Sequence, residues 1–398
     1  MTAVLRRATP EDLPGIITLD SRAFGVQHTD VDIELFRPLF EPDRFLLACD
    51  PDDGRILGST GDFPFDVTLP GGATVAAPGV TWVSVATTHR RRGILRTLMT
   101  EQHRGFVDRG YPLALLTASE GGIYGRFGYG PATSHRHVEI DRRFAAFRPG
   151  APDPGGVREA DAAQARRHAE RVHRRWCAAT PGALSRGPGW WDELFADPEH
   201  QRGGGSPLFH LVHPDGWAAY RIDRDHYRCR VQELFTVTED GHVALWRVLL
   251  GLDLVRTVTT RACPLDDPLP FLLTDPRQVR TTGLPDGMWA RVLDVPAVLA
   301  ARRYAVEVEV VVEVHDGFLG RGGRFRLHGG PDGATCAPTD TAPDAEIDVA
   351  ALGALLLGGH RALTLARAGL LVAGKPGTLQ RLDAAFAGER SPRHGTDF

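Results

Sequence analysis

Val83-Ser-Val-Ala-Thr-Thr-His89-Arg90-Arg91-Arg92-Gly93-Ile94-Leu95-Arg96 decides how the first third of this chain is read. The apolar, β-branched run Val80–Ala86 enters a basic loop with one glycine. Ile94, Leu95, Leu98, Met99 and Phe106 then fall near one face over Ile94–Val107. This periodicity predicts strand, loop and amphipathic helix. The first amides of a helix lack intrahelical acceptors and sit at the positive end of its dipole. Three arginines there oppose the dipole unless an anion joins them, so the segment reads as an anion site. Gly93 removes the side chain where a diphosphate must approach the backbone. The loop is neither G-x-x-x-x-G-K-[ST] nor G-x-G-x-x-G.

Elements of the same kind extend on both sides. Thr9-Pro10-Glu11-Asp12 reads as a helix start, and Leu13–Phe24 carries a partial helical stripe. Arg44–Cys49 and Arg55–Phe65 are expected strands, split by the turn Asp50–Gly54, and Pro70-Gly-Gly72 is another turn. Leu113–Ala118 is an expected buried strand. The Pro/Gly-rich stretch Arg148–Gly156 reads as a linker. A second αβ region follows, with expected strands Leu208–His213, Trp217–Ile222, Arg230–Phe235 and Leu254–Thr259 and a helix Val243–Leu250. From about Leu284 the pattern becomes α+β. Ala305–Val314 alternates Val with Glu, Gly320–Leu327 is a turn and strand, and Leu352–Gly359 and Leu363–Leu371 read as helices.

Composition narrows the function classes. The 398 residues carry a formal net charge of −4, so no basic field marks nucleic acid as the main partner. The most apolar uncharged stretch, Val349–Gly359, is far short of the ~20 residues that span a bilayer. The first residues hold no apolar signal core. The five cysteines are scattered without a C-x-x-C pair, which fits thiols in a reducing cytoplasm. His135-x-His137 is strand alternation without an obvious third ligand, so no metal is expected.

Arg90-Arg91-Arg92-Gly93-Ile94-Leu95 resembles the acetyl-CoA motif [Q/R]-x-x-G-x-[G/A] of the GNAT acetyltransferases, with Leu95 where the family has a small residue. Leu115–Tyr129, with Ser119-Glu120-Gly-Gly-Ile-Tyr124-Gly-Arg-Phe-Gly-Tyr129, resembles the strand, Tyr and Gly-Phe/Tyr helix of their C-terminal half. The whole chain is similar to the Eis (enhanced intracellular survival) group, through Val83–Arg96, Ser119–Gly130, Trp190–Phe195, Gly333–Pro338 with Asp340, and Leu352–Gly359. The resemblance implies an α/β (α+β) protein with mixed central sheets flanked by helices. Its parts would be a catalytic GNAT domain (1–147), a degenerate GNAT-like domain (148–283) and a sterol-carrier-like domain (284–398) whose C-terminus reaches the active site. In the second region the matching helix starts Thr238-Glu239-Asp240-Gly241, with acids where a diphosphate would bind, and this reads as a degenerate copy.

The resemblance also implies the chemistry: acetyl transfer from acetyl-CoA to amines of aminoglycosides, polyamines or lysine side chains in a ternary complex, by a hexamer. It implies cofactor contacts from Val83, Ser84, Val85, Arg90, Arg91, Arg92, Gly93, Ile94, Leu95, Arg96, Ser119 and Glu120, an oxyanion role for backbone amides of Val83–Val85, and Tyr124 and the α-carboxylate of Phe398 as acid and base. At reference values near 10 for tyrosine and 8.5 for a thiol, full transfer from Tyr124 is uphill by ~1.5 units, roughly 2 kcal/mol. Hydrogen bonding to the forming thiolate then matters more than the transfer. An α-carboxyl, with a pKa of roughly 3.5, is a weak base that acts through water or after burial raises it. Asp20, Asp30, Asp32, Glu34 and Asp397 are acids, and Phe24, Phe36 and Trp82 aromatic walls, in segments suited to a cationic acceptor. Among them Phe24, Trp82 and Asp397 are the expected substrate contacts. The alternatives are transfer of a longer acyl group, or a CoA- or lipid-binding protein without turnover.

Overall fold

The computed structural model describes residues 3–398, which form two compact units. The first holds the chain up to Ala132, Met288–Gly388 and Thr396–Phe398; the second holds Thr133–Gly287 and Glu389–Gly395. As expected, both are built on mixed sheets flanked by helices.

The first unit opens with β1 (Val4–Arg7), α1 (Leu13–Phe24) and α2 (Asp30–Phe36), followed by β2 (Leu46–Cys49), β3 (Ile56–Thr68) and β4 (Thr74–Val85). After α3 (Ile94–Asp108) come β5 (Leu113–Thr117) and the short β6 (Gly130–Pro131). The sheet order is β1-β2-β3-β4-β5, then the distant strand Met288–Val292, then β6. All its pairings are antiparallel except β4–β5. Helix α1 buries Leu13, Ile16, Ile17 and Leu19, and α3 buries Ile94, Leu98, Met99 and Phe106. Each such side chain is worth roughly 1.5–3 kcal/mol of burial. A five-stranded sheet in the same unit, with Val308–His315 at its centre, is accompanied by the apolar helix Val349–Leu356, which packs on Met288–Val292 and β6.

The second unit is a seven-stranded sheet. Arg136–Asp141 pairs with both Thr257–Cys263 and Val279–Gly283 in it, and Arg228–Thr236 runs parallel to Thr257–Cys263. The helices Ala162–Ala179 and Glu239–Gly251 belong to this unit. The tail segment 389–395 belongs here too. The Arg393 amide donates to the Pro181 carbonyl (2.9 Å) and the Leu184 amide to that of His394 (3.1 Å). The Arg393 guanidinium lies over Trp176 and Phe235, 5.5 and 5.2 Å from the ring centres.

Two expected elements shift. The strand expected at Leu254 begins at Thr257, because Leu254 is exposed in a left-handed conformation (φ 58°) that ends any ladder. The helix expected over Leu363–Leu371 is Ala362–Arg367, and Leu371–Ala373 is an edge strand. Among the described residues no helix is long and apolar enough to cross a membrane. Cys49, Cys229 and Cys263 are buried and reduced.

Candidate active site

The site begins as a defect in β4. Ser59 faces Ser84 and Gly61 faces Thr81, so Trp82 and Val83 together oppose Thr60. This bulge holds Trp82 at φ 50°, anchored by the Ser59 hydroxyl donating to the Trp82 carbonyl (3.0 Å). On its other side β4 pairs with β5 only through Gly79–Leu115 and Val80–Leu116. Beyond the bulge the two parallel strands no longer pair, and Val83, Ser84 and Val85 border the opening.

A cleft of about 840 Å³ fills that opening. Val83, Ser84, Val85, Arg90, Arg91, Gly93, Ile94, Leu95, Arg96, Ser119, Glu120 and Tyr124 line it, with Phe24 at its edge. Gly93 stands at the N-cap of α3 with φ 84°, a left-handed conformation that favours glycine, and no side chain caps the helix. Among the described residues no carboxylate is paired with Arg90, Arg91 or Arg96. Open helix amides and unmatched guanidiniums around one cleft suit a diphosphate. Arg92 is the exception: it lines a separate recess of about 140 Å³ with Ala48, Leu57 and Thr97. The sequence reading gave no site role to Ala23, His89, Ile123, Arg126 and Phe127, which complete the lining. Arg126 lies inside the Gly125–Tyr129 block, and its charge was the available signal.

Tyr124 starts a short 3-10 turn, Tyr124–Phe127, rather than a full helix. It is buried against the core formed by Met99, Phe127 and Tyr129. Burial first, and the nearby Glu120 charge second, push its hydroxyl up to about 12. Behind it the Tyr129 hydroxyl meets His103 Nε2 at 2.8 Å, while His103 Nδ1 bonds the Met99 carbonyl (2.6 Å). Complete burial drives His103 down to about 3, which keeps it neutral.

The chain terminus lies in the same unit. The Thr117 hydroxyl donates to an oxygen of Phe398 (3.0 Å), and the Phe398 ring meets that of Phe65 at 4.9 Å. A Cβ on Gly79 would stand 2.7 Å from both rings, so glycine there is what lets the terminal ring approach β4. Phe398 thus touches β3, β4 and β5 where the latter two begin to part. Asp397 is exposed.

The remaining acids divide. Asp32 is a helix cap, its carboxylate accepting from the Thr29 amide (2.7 Å) and hydroxyl (2.9 Å). Glu34 pairs with Arg37 (2.9 Å) and Asp30 is exposed. Asp20 differs: its carboxylate accepts from the Ser84 hydroxyl (2.9 Å) beside the cleft. Phe36 stacks edge-on against both His28 (5.6 Å) and Trp82 (5.4 Å). In the second unit the matching helix start is closed, since the Thr238 hydroxyl accepts from the Gly241 amide (3.2 Å) and Glu239 and Asp240 stand in the first turn. Among the described residues no three His, Cys, Asp or Glu side chains are grouped to hold a metal.

Sheet order, bulge, parting strands and open helix start define a GNAT-type acetyltransferase fold. Comparison with known proteins agrees along the chain: residues 4–132 match an acetyltransferase (GNAT) domain family, 182–292 a second one, and 295–393 a sterol carrier protein domain family. N-acetyltransferase Eis of Mycobacterium tuberculosis is 43% identical over 98% of each chain. The crystal structure of Eis1 from Mycobacterium abscessus superposes with a TM-score of 0.88 at 36% identity, covering 99% of this chain and 100% of that one. A GCN5-related N-acetyltransferase from Anabaena variabilis shares the fold (TM-score 0.86, 19% identity, 99% and 100% covered). The chain belongs to the Eis family of N-acetyltransferases. GNAT acetyltransferases use acetyl-CoA, and the unmatched arginines and open amides fit it.

Proposed function

We propose that this N-acetyltransferase carries the acetyl group of acetyl-CoA directly to an amine of an aminoglycoside-like compound, a polyamine or a lysine side chain, within a ternary complex. Catalysis is assigned to the region 1–147 together with the chain terminus, and the working form to a cytoplasmic homo-oligomer, a hexamer by family likeness. Acetyl-CoA supplies the activated thioester; everything else falls to the chain. The α3 amides and Arg90, Arg91 and Arg96 hold the diphosphate, and backbone amides past the bulge polarise the carbonyl. The α-carboxylate of Phe398 takes the proton of the incoming ammonium, directly or through water. The new C–N bond forms as C–S breaks, and the Tyr124 hydroxyl hydrogen-bonds the leaving sulfur. With Tyr124 near 12, complete transfer to a thiolate near 8.5 is uphill by ~3.5 units, about 5 kcal/mol, so its role is that hydrogen bond more than a finished proton transfer.

The observation that carries this reading is that Tyr124 and the amides at the head of α3 line one cleft. Thiol release from acetyl-CoA in the presence of kanamycin or spermidine tests it. Free CoA is expected with the chain ending at Phe398. Residues added after Phe398 should abolish turnover and leave CoA binding intact; a tagged terminus that works normally rules out the carboxylate as base.

A further inference from the structure

Some buried carboxylates of this protein are held by groups other than a strong cation, Asp32 by the Thr29 amide and hydroxyl and Asp267 by His242, but others meet arginines. Asp316 pairs with Arg291 at 2.7 Å, and Asp62 with Arg44. Asp20 does not. It accepts the Ser84 hydroxyl, its Oδ2 lies 3.8 Å from His28 Nε2, and no arginine or lysine reaches it among the described residues. Its side chain is 16% exposed, and burial raises its pKa. A half-buried carboxylate with so little compensation is costly unless a cation arrives.

Its surroundings show from where one would come. Asp20 lies three and four residues before Ala23 and Phe24, hence on the same face of α1, and both of those line the cleft, as does Ser84. His28, which Asp20 faces at 3.8 Å, begins an edge-to-face series of partly exposed rings that runs through Phe36 to Trp82. A carboxylate beside aromatic faces is a receptor for ammonium groups.

We propose that Asp20, supported by Ser84 and flanked by the aromatic series, holds a second, non-reacting ammonium of a polycationic acceptor. The inference rests on the acceptor class proposed above. Asp20 then sets specificity for acceptors with two or more amines and takes no part in bond making.

The test compares spermidine with n-butylamine on wild type and Asp20→Asn, which keeps the oxygen that accepts from Ser84. The expected result is a tenfold or larger rise in KM for spermidine, with kcat and the KM for n-butylamine within about threefold. Calorimetric binding of spermidine should weaken equally, with acetyl-CoA binding unchanged. Equal losses for both amines, or a fall in kcat at constant KM, would overturn the assignment. If Asp20→Asn does not fold, the wild type still decides: its KM should be at least tenfold lower for spermidine than for n-butylamine, and similar values contradict the proposal. Should wild type release no CoA with any amine, the acetyl-transfer reading fails. Spermidine binding that is lost in Asp20→Asn would still uphold the subsite, and binding that is unaltered would remove it.

Discussion

Tyr124 keeps its proton throughout the ordinary assay range, because burial and Glu120 both disfavour the phenolate. Its ionisation should therefore contribute no alkaline loss of rate below about pH 11. Tyr124→Phe removes the proposed hydrogen bond to sulfur and little packing. It should lower kcat by ~10²-fold or more while the Kd for acetyl-CoA stays within a few-fold, as measured by stopped-time assay and calorimetry. His103 makes the opposite kind of statement, about stability. Its folded pKa lies near 3 against 6.5 for the free side chain, so below about 6.5 the unfolded chain binds a proton that the folded chain refuses. Stability is thus full above that value and falls with acid by up to roughly 1.4 kcal/mol per pH unit. His103→Gln should melt lower at pH 7 and yet lose less Tm between pH 7 and 4 than wild type does. A parallel loss in both would contradict a neutral, buried imidazole.

At the scale of elements, the proposed anion site is the start of α3. Gly93→Ala places a side chain at φ 84°, a cost of roughly 1–2 kcal/mol, and crowds the approach to the amides. A higher KM for acetyl-CoA is expected, with Arg90→Ala and Arg96→Ala adding to it and flattening its dependence on salt. This element was readable because its pattern is local: a β-branched strand, one glycine, then apolar residues at helical spacing. The β4 bulge was not, since it comes from the register Ser59–Ser84 and Gly61–Thr81 across two strands. The helix Ala162–Ala179 was also missed. Its buried face includes His168 and His173, which count as polar in any hydropathy pattern yet lie inside the unit. Capping by Asp161, which accepts from the Gln164 amide (2.8 Å), was the signal available.

At the scale of the molecule, chain order and spatial order part company. Met288–Val292 sits between β5 and β6, 171 residues after β5 ends, and no local pattern announces such a partner. Its Arg291, fully buried on Asp316, reads as a surface residue in sequence. A chain ending at residue 147 would leave the Leu113–Thr117 edge unpaired. We expect it to show no cooperative melt by circular dichroism; a stable, acetyl-CoA-binding fragment would contradict that. The terminal residue was assigned a role by family likeness, and its contacts with Thr117, Phe65 and Gly79 come from three strands that no spacing rule connects to residue 398.

The proposed catalysis depends on the head of α3 as the diphosphate site and on Tyr124 as the donor to sulfur. A crystal structure with acetyl-CoA bound tests both at once. It should show diphosphate oxygens within hydrogen-bond distance of the backbone amides following Gly93, and the thioester sulfur within about 3.5–4 Å of the Tyr124 hydroxyl. A diphosphate bound elsewhere, or a sulfur far from that hydroxyl, would contradict it.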